Sequence, residues 1–530
     1  MSRYTAFFLA AFLTLASILA AALTISWVWI APAIFGALFL LGLWDLTQRR
    51  HSLLRNYPII GHLRWLFEGI RPEIRQYLVE SDLDAVPFSR EQRSLVYQRA
   101  KNQVDSVPFG TELNVYDAGF SWLTHSIQPK PRPDHDFRVT LGGPGSARPY
   151  LASIYNVSAM SFGSLGANAI RAINKGASMG NFAQDTGEGS ISRYHREFGG
   201  DLIWQIASGY FGCRNADGTF DPGRFAEQAA SDQVKMIEVK LSQGAKPGHG
   251  GVLPAAKVTQ EISEARGIPV GKTCISPAGH SAFSTPIEFL HFLQQLRELS
   301  GGKPVGFKLC VGHPWEFLGI VKAMLKTEIL PDYVVVDGKE GGTGAAPLEF
   351  INRVGTPLHE GLTFVRNALV GAGLRDRVKI GAAGKVISAF DIVWAMGLGA
   401  DWCNSARGFM FALGCIQAQA CHTNRCPVGI ATQDPIRQRA LVVEDKALRV
   451  KTFHENTLKA LAEVVAAAGL SSPAEVKPWM LQVRQKSGEV KPASEAYPHL
   501  QEGELLSGTD HKVFRTYWAS ASAERFGLVT

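Results

Sequence analysis

Along the chain, the apolar and polar positions fall into three regimes. The first is unbroken apolarity: between Arg3 and Asp45 no charged residue occurs, and two apolar runs, Thr5–Leu23 and Trp27–Trp44, are separated by Thr24-Ile25-Ser26. Each run is long enough to cross a hydrocarbon core, and together they are too long for one helix, so the pattern predicts a transmembrane hairpin over residues 1–50. Pro32 falls early in the second helix, where it does least harm. Trp27, Trp29 and Trp44 sit near the ends, as interfacial aromatics do. Arg3 precedes the first run, and Arg49, Arg50, His51 and Arg55 follow the second. That asymmetry places both ends in the cytoplasm. Ala20-Ala21-Ala22 resembles a signal-peptide cleavage site, but the second apolar run argues for an anchor.

The second regime, residues 51–148, is mixed and carries no metal-ligand or nucleotide signature. Pro72–Glu80 predicts a short helix, and Ser89 with Gln92 three residues on predicts a capped helix start. A connecting role is the default expectation for this region.

The third regime begins near Tyr150, where short β-rich runs recur, each followed by a glycine or polar cluster and then a helical stretch. They are Ile154–Ser158, Phe182–Thr186, Met236–Leu241, Thr273–Ser276, Val305–Cys310, Tyr333–Asp337, Val378–Gly381 and Asp401–Ser405. Eight strands alternating with helices over roughly 280 residues predict an α/β fold of the (β/α)8 barrel type, spanning 149–433. Ile203–Ala207 reads as an extra strand outside that count. A doubly wound sheet is the alternative, but no G-x-G-x-x-G follows any strand. From 434 to 530 the chain turns helical and polar, with Val443–Ala468 at helical spacing. That segment is expected to pack against the barrel or the membrane-proximal region.

Composition alters this picture in two places. The net charge of +7 over 530 residues is dispersed, so no nucleic-acid surface is indicated. Of the seven cysteines, Cys415, Cys421 and Cys426 lie within twelve residues, spaced C-x5-C-x4-C and followed by Pro427. Such thiols can converge on one inorganic centre, and a Cys-Pro ending occurs in iron–sulfur ligand runs. Zinc usually takes four ligands and tighter pairs, and three separately buried cysteines are the plain alternative. The spacing alone does not choose between a three-iron cluster and a four-iron cluster with an open iron.

The polar groups concentrate at the C-terminal ends of the expected strands, where a barrel builds its site. They include Ser158-Ala159-Met160-Ser161-Phe-Gly, Asp185-Thr-Gly-Glu188-Gly, and Lys240-Leu-Ser-Gln243-Gly-Ala-Lys246-Pro-Gly. Lys308 stands inside an apolar run, either against a counter-charge or facing a ligand. Rarity of buried unpaired lysines favours the ligand. The last two strands end in Gly384-Lys385 and Arg407-Gly408, at the usual phosphate position of barrel enzymes, where Lys385 and Arg407 would add charge.

Together these segments, with Gly341-Gly342-Thr-Gly-Ala-Ala-Pro and the cysteine run, resemble the synthase domain of glutamate synthase from about Ser158 to Gln433. The nearest group is the stand-alone, membrane-associated FMN-binding glutamate synthase family. The resemblance implies FMN and a [3Fe–4S] cluster held by Cys415, Cys421 and Cys426. In that family reduced FMN delivers hydride to 2-iminoglutarate, formed from 2-oxoglutarate and ammonia, to give L-glutamate. By motif, Ser158, Ala159, Met160 and Ser161 would line the flavin ring, with Gly341 and Gly342 in the glycine loop of the same cofactor site. Lys308 and Gln205 would approach its polar edge, and Gly384, Lys385, Arg407 and Gly408 its phosphate. Glu188, Lys246 and Gln243 would face the substrate.

The full-length enzyme begins with an amidotransferase domain where this chain has its apolar hairpin. The resemblance therefore implies ammonia from solution or a separate subunit, electrons from ferredoxin or a reductase, and a cytoplasmic-membrane location. His249 stands where the family commonly has an acidic residue, and Lys339-Glu340 replaces a His-Asp pair. Both departures sit at the substrate end. They leave open a different FMN/iron–sulfur oxidoreductase of 2-oxo or 2-amino acids that passes electrons to a membrane acceptor.

Overall fold

A computed structural model describes residues 3–23, 29–83, 86–143 and 146–529. The chain forms two units, Met1–Arg90 and Glu91–Thr530. The expected turn at Thr24-Ile25-Ser26 and the interfacial Trp27 lie outside the described residues.

In the first unit, helices α1 (Thr5–Leu23) and α2 (Ile30–Thr47) pair antiparallel, since a Cβ at Gly36 would touch Thr14 while one at Gly42, farther along α2, would meet Phe7 at the start of α1. Both are long and apolar enough to cross a membrane. Most of their large side chains, Phe8, Phe12, Leu15, Ile34 and Leu40 among them, face outward. At the far end of α2, Asp45 is fully buried and accepts hydrogen bonds from the Ile59 amide (2.9 Å) and shares another with His62 Nε2 (2.9 Å). Helix α3 (His62–Ile74) follows and continues into a π-helical turn, Arg75–Val79.

The second unit is built on a closed parallel barrel of eight strands. They are β1 (Tyr155–Val157), β2 (Gln184–Asp185), β3 (Leu202–Ile206), β4 (Val234–Lys240), β5 (Val305–Leu309), β6 (Tyr333–Asp337), β7 (Lys379–Ala383) and β8 (Trp402–Ser405). Each strand pairs with its successor, and β8 closes on β1 through Cys403–Tyr155 and Asn404–Asn156. The sequence reading needs one correction here. Leu202–Ile206 is the third barrel strand, whereas Cys274–Ile275 lies outside the barrel in a two-residue antiparallel ladder with Val252–Leu253. A barrel strand must be buried on both faces. All five residues of β3 are buried, but Ile275 is 68% exposed.

The 25-residue helix α5 (Val443–Ala467) lies against α4 (Ala167–Gly180). A Cβ at Gly176 would meet Val450 and the Ala447 carbonyl, so the close approach of these helices requires glycine there. The C-terminal segment packs on the barrel helices, as expected: Phe514 stacks on Phe364 at 5.3 Å and Leu505 fills the space beside Gly371.

Two buried histidines, His195 and His454, and the half-buried His280 set an acid limit on this fold. Burial pushes His195 and His454 down to about 3 and His280 to about 4. They are neutral in the native state but take up protons in the unfolded chain below about pH 6.5. Their stabilisation is therefore complete above that pH and is lost as pH falls toward 4, at about 1.4 kcal/mol per pH unit for each proton. Thermal melts between pH 7 and 5 are expected to show a falling Tm, with a shallower slope in His454→Gln. An unchanged slope in that variant would contradict this assignment.

Candidate active site at the C-terminal mouth of the barrel

Parallel strands of a barrel carry side chains alternately inward and outward, so isolated charged residues in apolar strands converge at its centre. Five do so here. Lys308 on β5 lies 3.8 Å from Asp337 Oδ2 at the end of β6. Gln205 Nε2 on β3 donates to Glu238 Oε1 on β4 at 2.7 Å and reaches Asp185 Oδ2 on β2 at 3.5 Å. The Gly187 amide donates to Asp185 (2.9 Å) and the Gly244 amide to Asp337 (2.8 Å). All five side chains are buried.

Burial drives the Asp185 carboxyl well above the usual range, and Glu238 beside it adds to the effect. Glu238 is also raised, by burial, and Lys308 opposes that shift. Burial alone would lower Lys308. Asp337, Glu238 and Asp185 outweigh it and keep the ammonium charged. Lys308 thus has the counter-charges that the sequence left in question, and it has them at the mouth where a ligand would bind.

Beside this cluster lies a second. Glu188, after β2, is half-buried; its desolvation would raise it, but Lys240 (3.2 Å), Arg266 and Lys246 hold it ionised below its ordinary value. Burial lowers Lys246, and Glu188 opposes that shift. A Cβ at Gly251 would collide with the Glu188 carboxylate. Arg266 donates through Nη2 to Ser161 Oγ (3.3 Å) and the Phe162 carbonyl (3.0 Å). Gln243 is half-buried on the same loop as Lys246.

Lys339-Glu340 and His249 have local roles. Glu340 accepts the Leu358 amide at 3.0 Å at the start of a helix, and Lys339 Nζ donates to the carbonyls of Phe350 and of Gly244 (3.3 Å). His249 Nδ1 meets the Gly250 carbonyl at 2.8 Å.

The residues expected to line a flat cofactor surround the same mouth. Ser158, Met160 and Ser161 are buried and Ala159 is half-buried, with the Ser158 amide bonded to the Ser405 carbonyl at 3.0 Å. Gly187, at φ +63°, brings the β2 loop so close that a Cβ there would lie 2.7 Å from the Ser161 nitrogen. After β7, Gly384 (φ +139°) precedes Lys385, whose ammonium burial lowers while Glu340 raises it. Arg407 donates to the Thr343 carbonyl at 3.0 Å and covers the glycine loop, since a Cβ at Gly342 would lie 3.0 Å from its Nε. Gly341 approaches the Gly338 carbonyl, and Gly408 sits on Ser405. Gln205 is inside the barrel, engaged with Glu238.

One backbone approach is closer than the rest. A Cβ at Gly244 would collide with the Gly338 carbonyl, and the Gly244 amide is what holds Asp337. Gly244→Ala is expected to cost about 1–3 kcal/mol through forced backbone displacement, read as a lowered Tm. An unchanged Tm would contradict the packing described.

Cys415 and Cys426 are buried, Cys421 is half-buried, and none is in a disulfide. Burial raises the Cys415 thiol, Arg407 opposes this, and Cys421 and Cys426 lie near enough to raise it further. The loop is held in an irregular path by Gln417 (φ +57°), Gln419 (φ +54°) and Asn424 (φ +62°). Asn424 is fixed by Thr432 (2.6 Å), Gln433 (2.7 Å) and Ala256 (3.2 Å). Buried Lys257 donates to the carbonyls of Ser164 (3.1 Å) and Ala431 (3.0 Å), joining the β1 loop to the cysteine loop. Burial lowers its ammonium, and nearby Cys421 and Cys426 oppose that. Among the described residues, no three His, Cys, Asp or Glu side chains are gathered tightly enough for a single metal ion. A polynuclear cluster sets its thiolates farther apart than one ion does.

The sequence reading missed Glu238, Asp337, Lys257 and Arg266. Glu238 and Asp337 had a signal, a lone carboxylate on or ending an apolar strand. Arg266 and Lys257 had none.

Residues 144–471 match the family model described as the conserved region in glutamate synthase. The chain is 37% identical over 487 residues to the glutamate synthase large subunit-like protein YerD of Bacillus subtilis (strain 168), covering 84% of this chain and 92% of that protein. It is 35% identical over 316 residues to the archaeal-type glutamate synthase (NADPH) of Thermotoga neapolitana, covering 59% of each. Against the large chain of the NADPH glutamate synthase of Bacillus subtilis it is 31% identical, over 60% of this chain and 20% of the larger protein. The chain therefore spans most of the first relative and only part of the other two.

Proposed function

The chain belongs to the glutamate synthase family, and on that premise we propose that it is a membrane-anchored oxidoreductase that reductively aminates 2-oxoglutarate to L-glutamate, using FMN and an iron–sulfur cluster. The observation that carries this reading is the pairing, at one barrel mouth, of Lys308 among three carboxylates with the cation cluster Lys240, Lys246 and Arg266 around Glu188.

Ammonia condenses with the 2-oxo group, water leaves, and the resulting imine accepts a hydride at carbon and a proton at nitrogen. FMN supplies the hydride when bound, and the cluster supplies single electrons from an external donor. The residues fit both groups. Gly384, Lys385, Arg407 and Gly408 offer close backbone and positive charge for a phosphate at the ends of β7 and β8. Three thiols on one irregular loop, with Lys257 and Arg407 as compensating cations, suit an anionic cluster with Cys415, Cys421 and Cys426 as ligands.

The protein's own groups have distinct tasks. Lys246, Lys240 and Arg266 neutralise the two carboxylates of the substrate, which a desolvated site requires. Gln243 supplies an amide at the same loop. Glu188, held ionised, accepts N–H from the imine nitrogen and stabilises its cationic form. Lys308, held charged, would offset negative charge on a bound flavin. Asp185 and Glu238, both pushed up by burial, flank the ammonium from β2 and β4. Helices α1 and α2, long and apolar enough to span a bilayer, support anchoring with both ends in the cytoplasm.

The test is glutamate formation by detergent-purified protein from 2-oxoglutarate and 15N-ammonium, with reduced viologen as donor. Labelled glutamate is expected, and its absence would contradict the substrate assignment. The second reading, oxidation of another 2-amino acid toward a membrane acceptor, is favoured by His249 at the substrate end. It would appear as flavin reduction by an amino acid other than glutamate.

A further inference from the structure

Beyond the hairpin, we infer that α3 and its π-helical continuation, residues 62–79, are a second membrane element, an amphipathic helix that lies in the plane of the cytoplasmic leaflet and, with the arginines that precede it, grips anionic lipid headgroups. The inference rests on the anchoring reading above. At the 3.6-residue period, Leu66, Phe67, Ile70, Ile74, Tyr77 and Leu78 share one side of α3 and its continuation. All six are exposed, Leu78 at 80%, and no residue of α3 is buried.

Arg64, Arg71 and Arg75 fall beside that stripe, and the segment 49–80 carries six arginines against three glutamates. One arginine is partly satisfied internally, Arg64 Nε bonding Glu68 at 2.9 Å. An apolar face with a basic flank is the composition of helices that sit at the boundary of headgroups and acyl chains. Each basic group near an anionic surface adds to that attraction.

The occupant is fixed by where the helix starts. Arg3, just before α1, donates to Asn56 Oδ1 at 3.1 Å, and Asp45, near the end of α2, holds the Ile59 amide and His62. Both outer ends of the hairpin are therefore tied to the residues that lead into α3. If α1 and α2 cross the bilayer, α3 begins where they emerge. The Trp65 ring, between His51 and His62 at 5.7 and 6.1 Å, marks the same level. An apolar face exposed at that depth meets lipid before it meets another protein.

The test uses the full chain in vesicles of phosphatidylglycerol and phosphatidylcholine, with photoreactive benzoylphenylalanine placed singly at positions 67, 70, 74, 68 and 76. Lipid adducts at 67, 70 and 74 are expected to exceed those at 68 and 76 by at least about tenfold, because only the first set faces acyl chains. They are expected to fall when phosphatidylglycerol is omitted. Adducts to this chain or to a second copy, or equal lipid labelling at all five positions, would overturn the inference. Alkaline carbonate extraction of the unmodified protein reports separately on the hairpin. Release into the supernatant would refute the anchor, while retention with unpatterned labelling would refute only the surface helix.

Discussion

Lys308→Met is expected to lower turnover by at least about a hundredfold, the scale of losing one preorganised charge in a water-excluded site. It is also expected to lower the Tm, because Asp337, Glu238 and Asp185 would lose the ammonium that balances them and an unpaired buried charge is strongly destabilising. Those two effects have different causes and can be separated. In Lys308→Met/Asp337→Asn the charge balance is restored by removing the nearest carboxylate, 3.8 Å away. The Tm is then expected to recover while turnover does not. Recovery of both would mean that Lys308 serves only as a counter-charge.

Cys421→Ser is the second large effect. Cys421 is half-buried whereas Cys415 and Cys426 are buried, so its replacement disturbs packing least. It is expected to remove the paramagnetic signal of the oxidised cluster and turnover with a one-electron donor, while flavin content and Tm change little. The hydroxyl of serine, a harder and far less acidic donor, does not replace a thiolate on iron. A cluster signal of unchanged intensity would show that the ligand is elsewhere.

How much of this was legible in the sequence follows from which features are local. Helices α1 and α2 were legible because length and apolarity belong to each run by itself. The barrel was legible from the alternation of short apolar runs with helical stretches. One strand was misplaced because a buried parallel strand and a short edge ladder look alike over four or five residues. Ile203–Ala207 read as a strand outside the eight, while Thr273–Ser276 filled a place among them. The central charge cluster was legible only in part. Lys308 stood out within an apolar run, but Asp185, Glu238 and Asp337 are brought to it by barrel closure, which no window of sequence contains. Arg266 reaches Ser161 and Phe162 from a helix a hundred residues along the chain. The exposed face of α3 escaped notice for a different reason. Its period is visible in the sequence, but only the structure shows that none of its residues is buried among the described residues.

The central claim is that this barrel mouth passes hydride to an imine made from 2-oxoglutarate and ammonia. The most direct measurement follows the flavin band of the dithionite-reduced, detergent-purified protein under anaerobic conditions as the two substrates are added. Reoxidation is expected only when 2-oxoglutarate and ammonium are present together, with one glutamate formed per flavin reoxidised. A flavin that stays reduced in the presence of both would contradict the claim.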